Sequence, residues 1–130
     1  RVTVAAFMTA LNPTVEEVSD VKTAVSEAVT NAIIHGYESE VHSICIRCRT
    51  EGKTLYLEVE DTGKGIEDVK QAMEPLFTTK PELDRSGMGF SFMEAFMDKL
   101  EVLSSPGKGT TVKMEKTIGK GRRLWTTQSL

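Results

Sequence analysis

Glu27 and Asn31 are two polar residues whose types and spacing suit catalysis. They lie four residues apart in the stretch 26–36, SEAVTNAIIHG, so a helix places them one turn apart on the same side. A carboxylate there can accept a proton, and a carboxamide can give a neutral oxygen to a metal ion. The alternative is a solvated polar face shared with Asp20, opposite the apolar side of the helix. The helix taken alone favours that alternative.

Two short glycine clusters follow further along the chain. Residues 61–65 read Asp-Thr-Gly-Lys-Gly, and residues 86–89 read Ser-Gly-Met-Gly. Glycine lets the backbone approach a phosphate or a base closely, and the start of a helix attracts anions. Neither a P-loop nor a dinucleotide-binding glycine motif is present. The combination predicts a nucleotide-binding fold arranged around the helix that carries Glu27.

The helices can be predicted from apolar residues at helical spacing. Residues 2–11 have the pattern of a first helix that ends at an Asn-Pro pair. Thr14 and Glu17 have the spacing of a capping box, which begins a second helix that continues to the His-Gly pair. A short helix is expected at residues 66–73. A last helix is expected after Gly89, with a core-facing stripe of Phe90, Phe92, Met93, Phe96 and Met97.

Two β-hairpins are predicted from alternating apolar residues. Residues 41–49 and 53–60 form the first hairpin around a Glu-Gly turn, and residues 101–103 and 110–116 form the second. Continuing the buried side of the second strand by two residues brings Asp61 inward. A buried carboxylate needs a hydrogen-bond donor, and the amine of a purine is one. The alternative, which this strand taken alone favours, is that Asp61 only begins a turn.

Composition limits the classes of protein to be considered. The 130 residues carry a formal net charge of −3, so no basic field favours nucleic acid or an anionic membrane. No membrane span and no signal peptide are visible. Cys45 and Cys48 lie three apart in a predicted strand, so they face opposite sides and do not easily bridge, although a redox or metal-binding pair is the alternative. We expect a cytoplasmic protein.

The domain is expected to span residues 1–118, followed by an unassigned tail at 119–130. Because the chain opens on Arg1 within a predicted helix, we expect an initial strand to be missing. The order of features resembles the ATPase superfamily of gyrase, the heat-shock chaperone, histidine kinases and MutL. The resemblance implies an α+β fold of the Bergerat type, a two-layer α/β sandwich with helices on one face of a mixed, mostly antiparallel sheet.

Two phrases are similar to a narrower group. Residues 26–37 and 75–90 resemble the anti-sigma factor serine/threonine kinases of spore-forming bacteria, of the sporulation sigma-F regulator type. The resemblance implies that Asn31 coordinates Mg²⁺ beside ATP and that Glu27 is the general base. It also implies that Asp61 accepts from the adenine amine. Further nucleotide contacts would come from Gly63, Gly65 and Thr110, and around the phosphates from Thr79, Lys80, Ser86, Gly87, Met88, Gly89 and Phe90, with residues 77–86 as a lid.

The same resemblance implies the partners. They are a sigma factor that the protein sequesters, an anti-anti-sigma protein that it phosphorylates on serine, and a second copy in a homodimer. One alternative is the ATP-binding domain of a two-component histidine kinase, which shares the fold. Glu27 speaks against it, because a serine hydroxyl needs a base and a histidine nucleophile does not. The other alternative is a non-catalytic module in which ATP only sets the shape that holds a partner.

Overall fold

The computed structural model describes residues 2–36, 43–66, 68–74 and 89–119. Over these residues the chain forms four α-helices and four β-strands, with a 3₁₀ turn at Met8–Leu11 and a π-helical turn at Ala32–Gly36. In chain order the elements are α1 (Val2–Phe7), α2 (Val15–Asn31), β1 (Cys45–Glu51), β2 (Thr54–Asp61), α3 (Val69–Ala72), α4 (Gly89–Phe96), β3 (Lys99–Ser105) and β4 (Gly109–Thr117).

The long helix α2 begins at the predicted capping box. The Thr14 hydroxyl accepts from the Glu17 N–H at 3.1 Å, and the Glu17 carboxylate accepts from the Thr14 N–H at 2.8 Å. Before it, Asn12 has a φ of 55°, a left-handed conformation that ends the preceding 3₁₀ turn. The α-helix itself ends at Asn31, and the predicted continuation to Gly36 is a π-helical turn. The second helix is therefore confirmed, with a change of geometry immediately after Asn31.

The four strands form one sheet in the order β1-β2-β4-β3, and each of the described pairings is antiparallel. The two predicted hairpins are confirmed, and β4 lies between β2 and β3. Side chains alternate along β2, where Leu55, Leu57 and Val59 are buried on one face. The other face is polar, with Arg47 of β1 donating to Glu58 of β2 at 2.9 Å.

The helices cover the apolar face of the sheet, which confirms the predicted two-layer α+β architecture. The core contains side chains from α1, α2, α4 and the inner face of β2 and β4. Its most deeply buried large members are Met8, Val21, Val25, Leu55, Leu57, Val59, Met93 and Met114. Burial of this apolar surface is the main source of stability, at roughly 25 cal/mol per Å² removed from water.

The direction of α2 places its last turn at one particular edge of the sheet. Near the start of α2, Asp20 lies 3.7 Å from the Lys116 ammonium at the end of β4. From there the distance to Asn31 along the helix is about 17 Å, and the distance to Thr110 along β4 is about 20 Å. The π-helical turn after Asn31 contacts β2 and β4. Asn31 therefore lies at the edge of the sheet that is formed by strand ends, where β2 ends and β4 begins.

Some expectations differ from the structure. The helix predicted at 66–73 is shorter, because Asp68 caps it by accepting from the Gln71 N–H at 3.1 Å. The alternation along residues 41–49 predicts Ile46 on the same side of the strand as Ile44 and Cys48, but Ile46 is 40% exposed because β1 is an edge strand. Cys45 and Cys48 are both free thiols, as predicted. None of the described residues form a His, Cys, Asp and Glu cluster suited to a metal ion, and none of the described helices could cross a bilayer.

Candidate functional site

Asp61 is a buried carboxylate at the end of β2. Only 6% of the residue is exposed, so the prediction from strand parity is confirmed and the turn alternative is wrong. The backbone N–H of Gly63 donates to its Oδ1 at 2.9 Å, and the backbone N–H of Thr110 donates to the same carboxylate. Burial raises the pKa of Asp61, the two backbone donors lower it, and the charge of Glu60 raises it, with a net rise.

The raised pKa of Asp61 predicts a pH dependence of stability. At pH values just above the ordinary aspartate pKa of about 4, the Asp61 carboxyl group holds its proton more tightly in the folded protein than in the unfolded chain. Asp61 therefore costs stability at neutral pH, and the cost disappears as the pH falls through the folded pKa and then the unfolded one. We expect the stability advantage of Asp61→Asn over the wild type, without nucleotide, to shrink from pH 7 to pH 4.5. Urea unfolding across this range measures it, and a difference that stays constant would contradict the prediction.

The loop after β2 is held against the hairpin that joins β3 and β4. The Gly107 N–H donates to the Lys64 carbonyl at 2.6 Å. A Cβ on Gly65, whose φ is +77°, would lie 2.0 Å from the Ser105 carbonyl oxygen. A Cβ on Gly109, whose φ is +85°, would lie 2.1 Å from the Asp61 carbonyl oxygen. Both positions require glycine, so the chain can place Asp61 and the hairpin in direct contact.

A hydroxyl pair lies beside Asp61. Thr110 is paired with Asp61 across β2 and β4 and with Ser104 across β3 and β4. The Ser104 and Thr110 hydroxyl oxygens are 2.8 Å apart, and Thr110 is 8% exposed. Sequence reasoning included Thr110 but missed Ser104 and the need for glycine at position 109. Ser104 opens a Ser-Ser-Pro-Gly run, and such a run is typical of a turn.

A second cluster lies at the start of α4. A Cβ on Gly89 would be 3.0 Å from Asn31 Nδ2, 3.2 Å from Asn31 Oδ1 and 3.4 Å from Glu27 Oε2. The carboxylate and the carboxamide therefore lie side by side against the first residue of α4. Both residues are partly buried, so they are not part of a solvated face. Asp20 belongs to neither cluster, since it pairs with Lys116.

The orientation of α4 explains this contact. The Lys116 ammonium donates to the Phe96 carbonyl at 2.7 Å, which places the end of α4 near the start of α2. The two helices pack against each other. They run antiparallel, because the start of α4 lies against the end of α2 and the end of α4 lies near the start of α2. Free backbone N–H groups at the start of a helix carry partial positive charge, so the Gly89 end suits an anion. Phe90, in the same turn, packs against the core.

Several predicted contacts lie outside the described residues. They are Thr79, Lys80, Ser86, Gly87 and Met88, together with the predicted lid at 77–86. The tail at 120–130 also lies outside them. Among the described residues, the structure brings Asp61, Gly63, Gly65 and Thr110 together, and it brings Glu27, Asn31 and Gly89 together. The two clusters share the edge where β2 ends.

The donor set of this edge fits a nucleotide and a hard metal ion. A buried acceptor held by two backbone donors suits an amine, and an amide oxygen suits Mg²⁺, which prefers oxygen ligands. The space against Gly89 is already narrow for one carbon atom, because a Cβ there would lie within 3.4 Å of both polar side chains. The absence of a side chain at residue 89 therefore lets the amino end of α4 lie directly against the carboxamide and the carboxylate.

Gly89 yields a prediction of its own. In Gly89→Ala, we expect the phosphate transfer predicted from the sequence to slow by about tenfold or more, because the new Cβ displaces the Asn31 and Glu27 side chains by a few tenths of an ångström. Folding should survive, since Gly89 is not among the glycines with a positive φ and alanine can adopt its backbone conformation. Turnover and thermal unfolding are measured together, with Ser91→Ala in the same helix as the control. Wild-type turnover in a folded Gly89→Ala variant would contradict the prediction.

The profile of the histidine kinase-like ATPase domain family matches residues 1–116. The chain therefore belongs to that family. Two solved structures support the fold. The histidine kinase domain of the blue-light activated histidine kinase from Erythrobacter litoralis has a TM-score of 0.61, with 23% identity over 84% of this chain and 51% of that chain. ShkA in complex with AMPPNP also has a TM-score of 0.61, with 18% identity over 78% of this chain and 22% of that one.

Sequence relatives define a narrower group. An anti-sigma F factor from Thermoanaerobacter sp. (strain X514) is 57% identical over 94% of this chain and 85% of the relative. That from Caldanaerobacter subterraneus is 58% identical over the same shares. That from Oceanobacillus iheyensis is 50% identical over 96% of this chain and 86% of the relative. Within its family the chain belongs with the anti-sigma F factors, which confirms the resemblance seen in the sequence.

Proposed function

We propose that the protein is an anti-sigma factor that binds and inhibits a sporulation sigma factor and is also an ATP-dependent serine kinase. The observation that carries the enzymatic part is the packing of Glu27 and Asn31 against the first residue of α4. A proton acceptor, an oxygen ligand and a helix amino end thus meet at one edge. The buried Asp61 acceptor lies at the same edge. Membership among the anti-sigma F factors supports the sigma-binding part.

Each residue has a role in the proposed transfer. Glu27 accepts the proton from the serine hydroxyl of the protein substrate as that oxygen attacks the γ-phosphorus of ATP. The bond to the bridging oxygen breaks, and ADP leaves. Asn31 would hold Mg²⁺, which neutralises charge on the phosphates, through its amide oxygen. Backbone N–H groups at Gly89 bind phosphate oxygen. Serine and phosphate thus react at the start of α4.

The adenine ring is held at the other end of the site. Asp61 accepts a hydrogen bond from the adenine amine, and the glycines at 63 and 65 let the loop lie close to the ring. Thr110 contacts the base from β4, next to Asp61. Predicted contacts from Thr79, Lys80, Ser86, Gly87, Met88 and Phe90 complete the nucleotide site in this proposal.

The proposed regulation is a competition between partners. The substrate is a small anti-anti-sigma protein, which displaces the sigma factor when unphosphorylated and loses this ability once its serine carries phosphate. Such a switch requires that each partner bind one state of the complex more tightly than the other. A homodimer and a cytoplasmic location complete the proposal.

Two other functions share this fold. A histidine kinase ATP-binding domain would use the same nucleotide site without a general base for serine. A non-catalytic module would bind ATP and transfer nothing. The partly buried Glu27 carboxylate beside Asn31 favours the serine kinase, because a hydroxyl nucleophile needs a proton acceptor.

One experiment separates these functions. The purified chain is incubated with γ-labelled ATP, Mg²⁺ and candidate anti-anti-sigma proteins, and the labelled residue is identified by acid stability and mass spectrometry. We expect acid-stable phosphoserine on one candidate. Acid-labile phosphohistidine would favour the histidine kinase, and ATP binding without transfer would favour the module. Release of co-purified sigma factor on adding the unphosphorylated candidate tests the second activity.

A further inference from the structure

Ser104, at the end of β3, has a hydroxyl that contacts three polar groups at once. The Ile66 N–H donates to Ser104 Oγ at 2.8 Å. Ser104 Oγ lies 3.0 Å from the Gly109 carbonyl oxygen and 2.8 Å from the Thr110 hydroxyl oxygen. The residue is partly buried between the loop after β2 and the hairpin. Through these contacts one oxygen atom links the loop after β2 to the hairpin between β3 and β4, at the end of the site where the adenine is proposed to bind.

A count of protons gives each contact its direction. A serine hydroxyl has one proton to donate and two lone pairs that accept. The Ile66 N–H takes one lone pair, because a backbone N–H only donates. The Gly109 carbonyl takes the proton, because a carbonyl only accepts. One lone pair remains toward Thr110, so the Thr110 hydroxyl must donate its proton to Ser104.

We propose that Ser104 is a positioning residue that makes the Thr110 hydroxyl an acceptor toward the base. With its proton directed to Ser104, the Thr110 oxygen has only lone pairs to offer a ligand. Asp61, paired directly with Thr110, is an acceptor as well. Two acceptors side by side match the amine of a 6-aminopurine and oppose the carbonyl of a 6-oxopurine. This inference rests on the proposed function, in which this edge of the sheet binds the base of ATP.

Ser104 thereby determines base specificity without contact with the base. Without its hydroxyl, the Thr110 proton is free to turn toward the ligand, so that Thr110 can donate to a 6-oxo group. An acceptor that faces another acceptor leaves a buried polar group unsatisfied, which is more costly than the loss of one hydrogen bond. The preference for the amine should therefore weaken more than the binding of ATP itself.

The test compares ATP with inosine triphosphate, which has a carbonyl in place of the 6-amine and a proton on N1. The N1 proton is the same for every variant, so the change of the affinity ratio between variants reports on the 6-position. Dissociation constants for both are measured by calorimetry for the wild type, Ser104→Ala, Thr110→Val and the double variant. We expect Ser104→Ala to reduce the preference for ATP over inosine triphosphate by about tenfold. In the Thr110→Val background the same change should have no further effect on that ratio. Ser104→Thr keeps a hydroxyl and should keep the wild-type ratio.

The outcomes separate this inference from the proposed function. A wild-type protein that binds neither nucleotide removes the proposed function and the inference with it. A wild type that binds both equally, or an unchanged ratio in Ser104→Ala, overturns the inference alone. An equal effect of Ser104→Ala in the Thr110→Val background also overturns it, because that result indicates a general loosening of the loops. If Ser104→Ala does not fold, Thr110→Val decides, and an unchanged ratio in that variant overturns the inference.

Discussion

Replacing Glu27 with alanine should lower the rate of phosphate transfer to a serine substrate by a factor of about 10² to 10⁴ while ATP binding stays close to that of the wild type. Proton transfer by a well-placed general base contributes acceleration of this size. Glu27 lies beside Asn31, against the first residue of α4. In the proposed mechanism its carboxylate accepts the proton of the serine hydroxyl and takes no part in binding the adenine. Single-turnover transfer and ATP affinity are measured on the same preparation.

The matched control for Glu27 is Glu94→Ala, which removes an exposed carboxylate from α4. We expect this control to transfer phosphate at the wild-type rate. A near-normal rate in Glu27→Ala would assign the base to another group. A loss of transfer that only follows a loss of ATP affinity would make Glu27 a binding residue.

The second large effect is expected for the affinity of the site for adenine nucleotides. Asp61→Asn should weaken ATP binding by about tenfold to a hundredfold, which is the effect expected from losing a hydrogen bond to a charged acceptor. The loss of GTP affinity should be much smaller, because the 6-position of guanine carries a carbonyl group, which cannot donate a hydrogen bond to Asp61. The comparison separates base recognition from a general disturbance, which would affect both nucleotides. Affinity is measured for both nucleotides by calorimetry.

Glu101→Gln is the control for Asp61→Asn, since it removes an exposed carboxylate from β3 at a distance from the buried edge. ATP affinity should not change in this control. Equal losses of ATP and GTP in Asp61→Asn would contradict the assignment of Asp61 to the adenine amine. The pH dependence of unfolding then tests separately whether burial of this carboxylate costs stability.

Much of this fold can be predicted from the sequence because local signals and burial agree. The capping box of Thr14 and Glu17 is a contact over three residues, so its spacing is enough to locate the start of α2. The inward position of Asp61 follows from the period of two along β2. The pairing of Glu27 with Asn31 follows from one turn of helix. In each case the partner is close in the sequence or the period is regular.

What could not be predicted depends on contacts between distant segments. Ser104 meets Ile66 across 38 residues, and nothing in a Ser-Ser-Pro-Gly run indicates that contact. The need for glycine at 109 arises from the Asp61 carbonyl, which lies in another strand. The exposure of Ile46 depends on the position of β1 at the sheet edge, because alternation along a strand does not show which neighbours it has.

The position of β4 in the sheet has a consequence for biosynthesis. This strand is the last of the four in the sequence, but it lies between β2 and β3. A nascent chain that has left the ribosome only as far as Ser105 contains Asp61 and Ser104 without the segment that joins them. The paired strands that hold both groups can therefore form only after β4 has emerged, so the ligand acts on a chain that already contains all four strands.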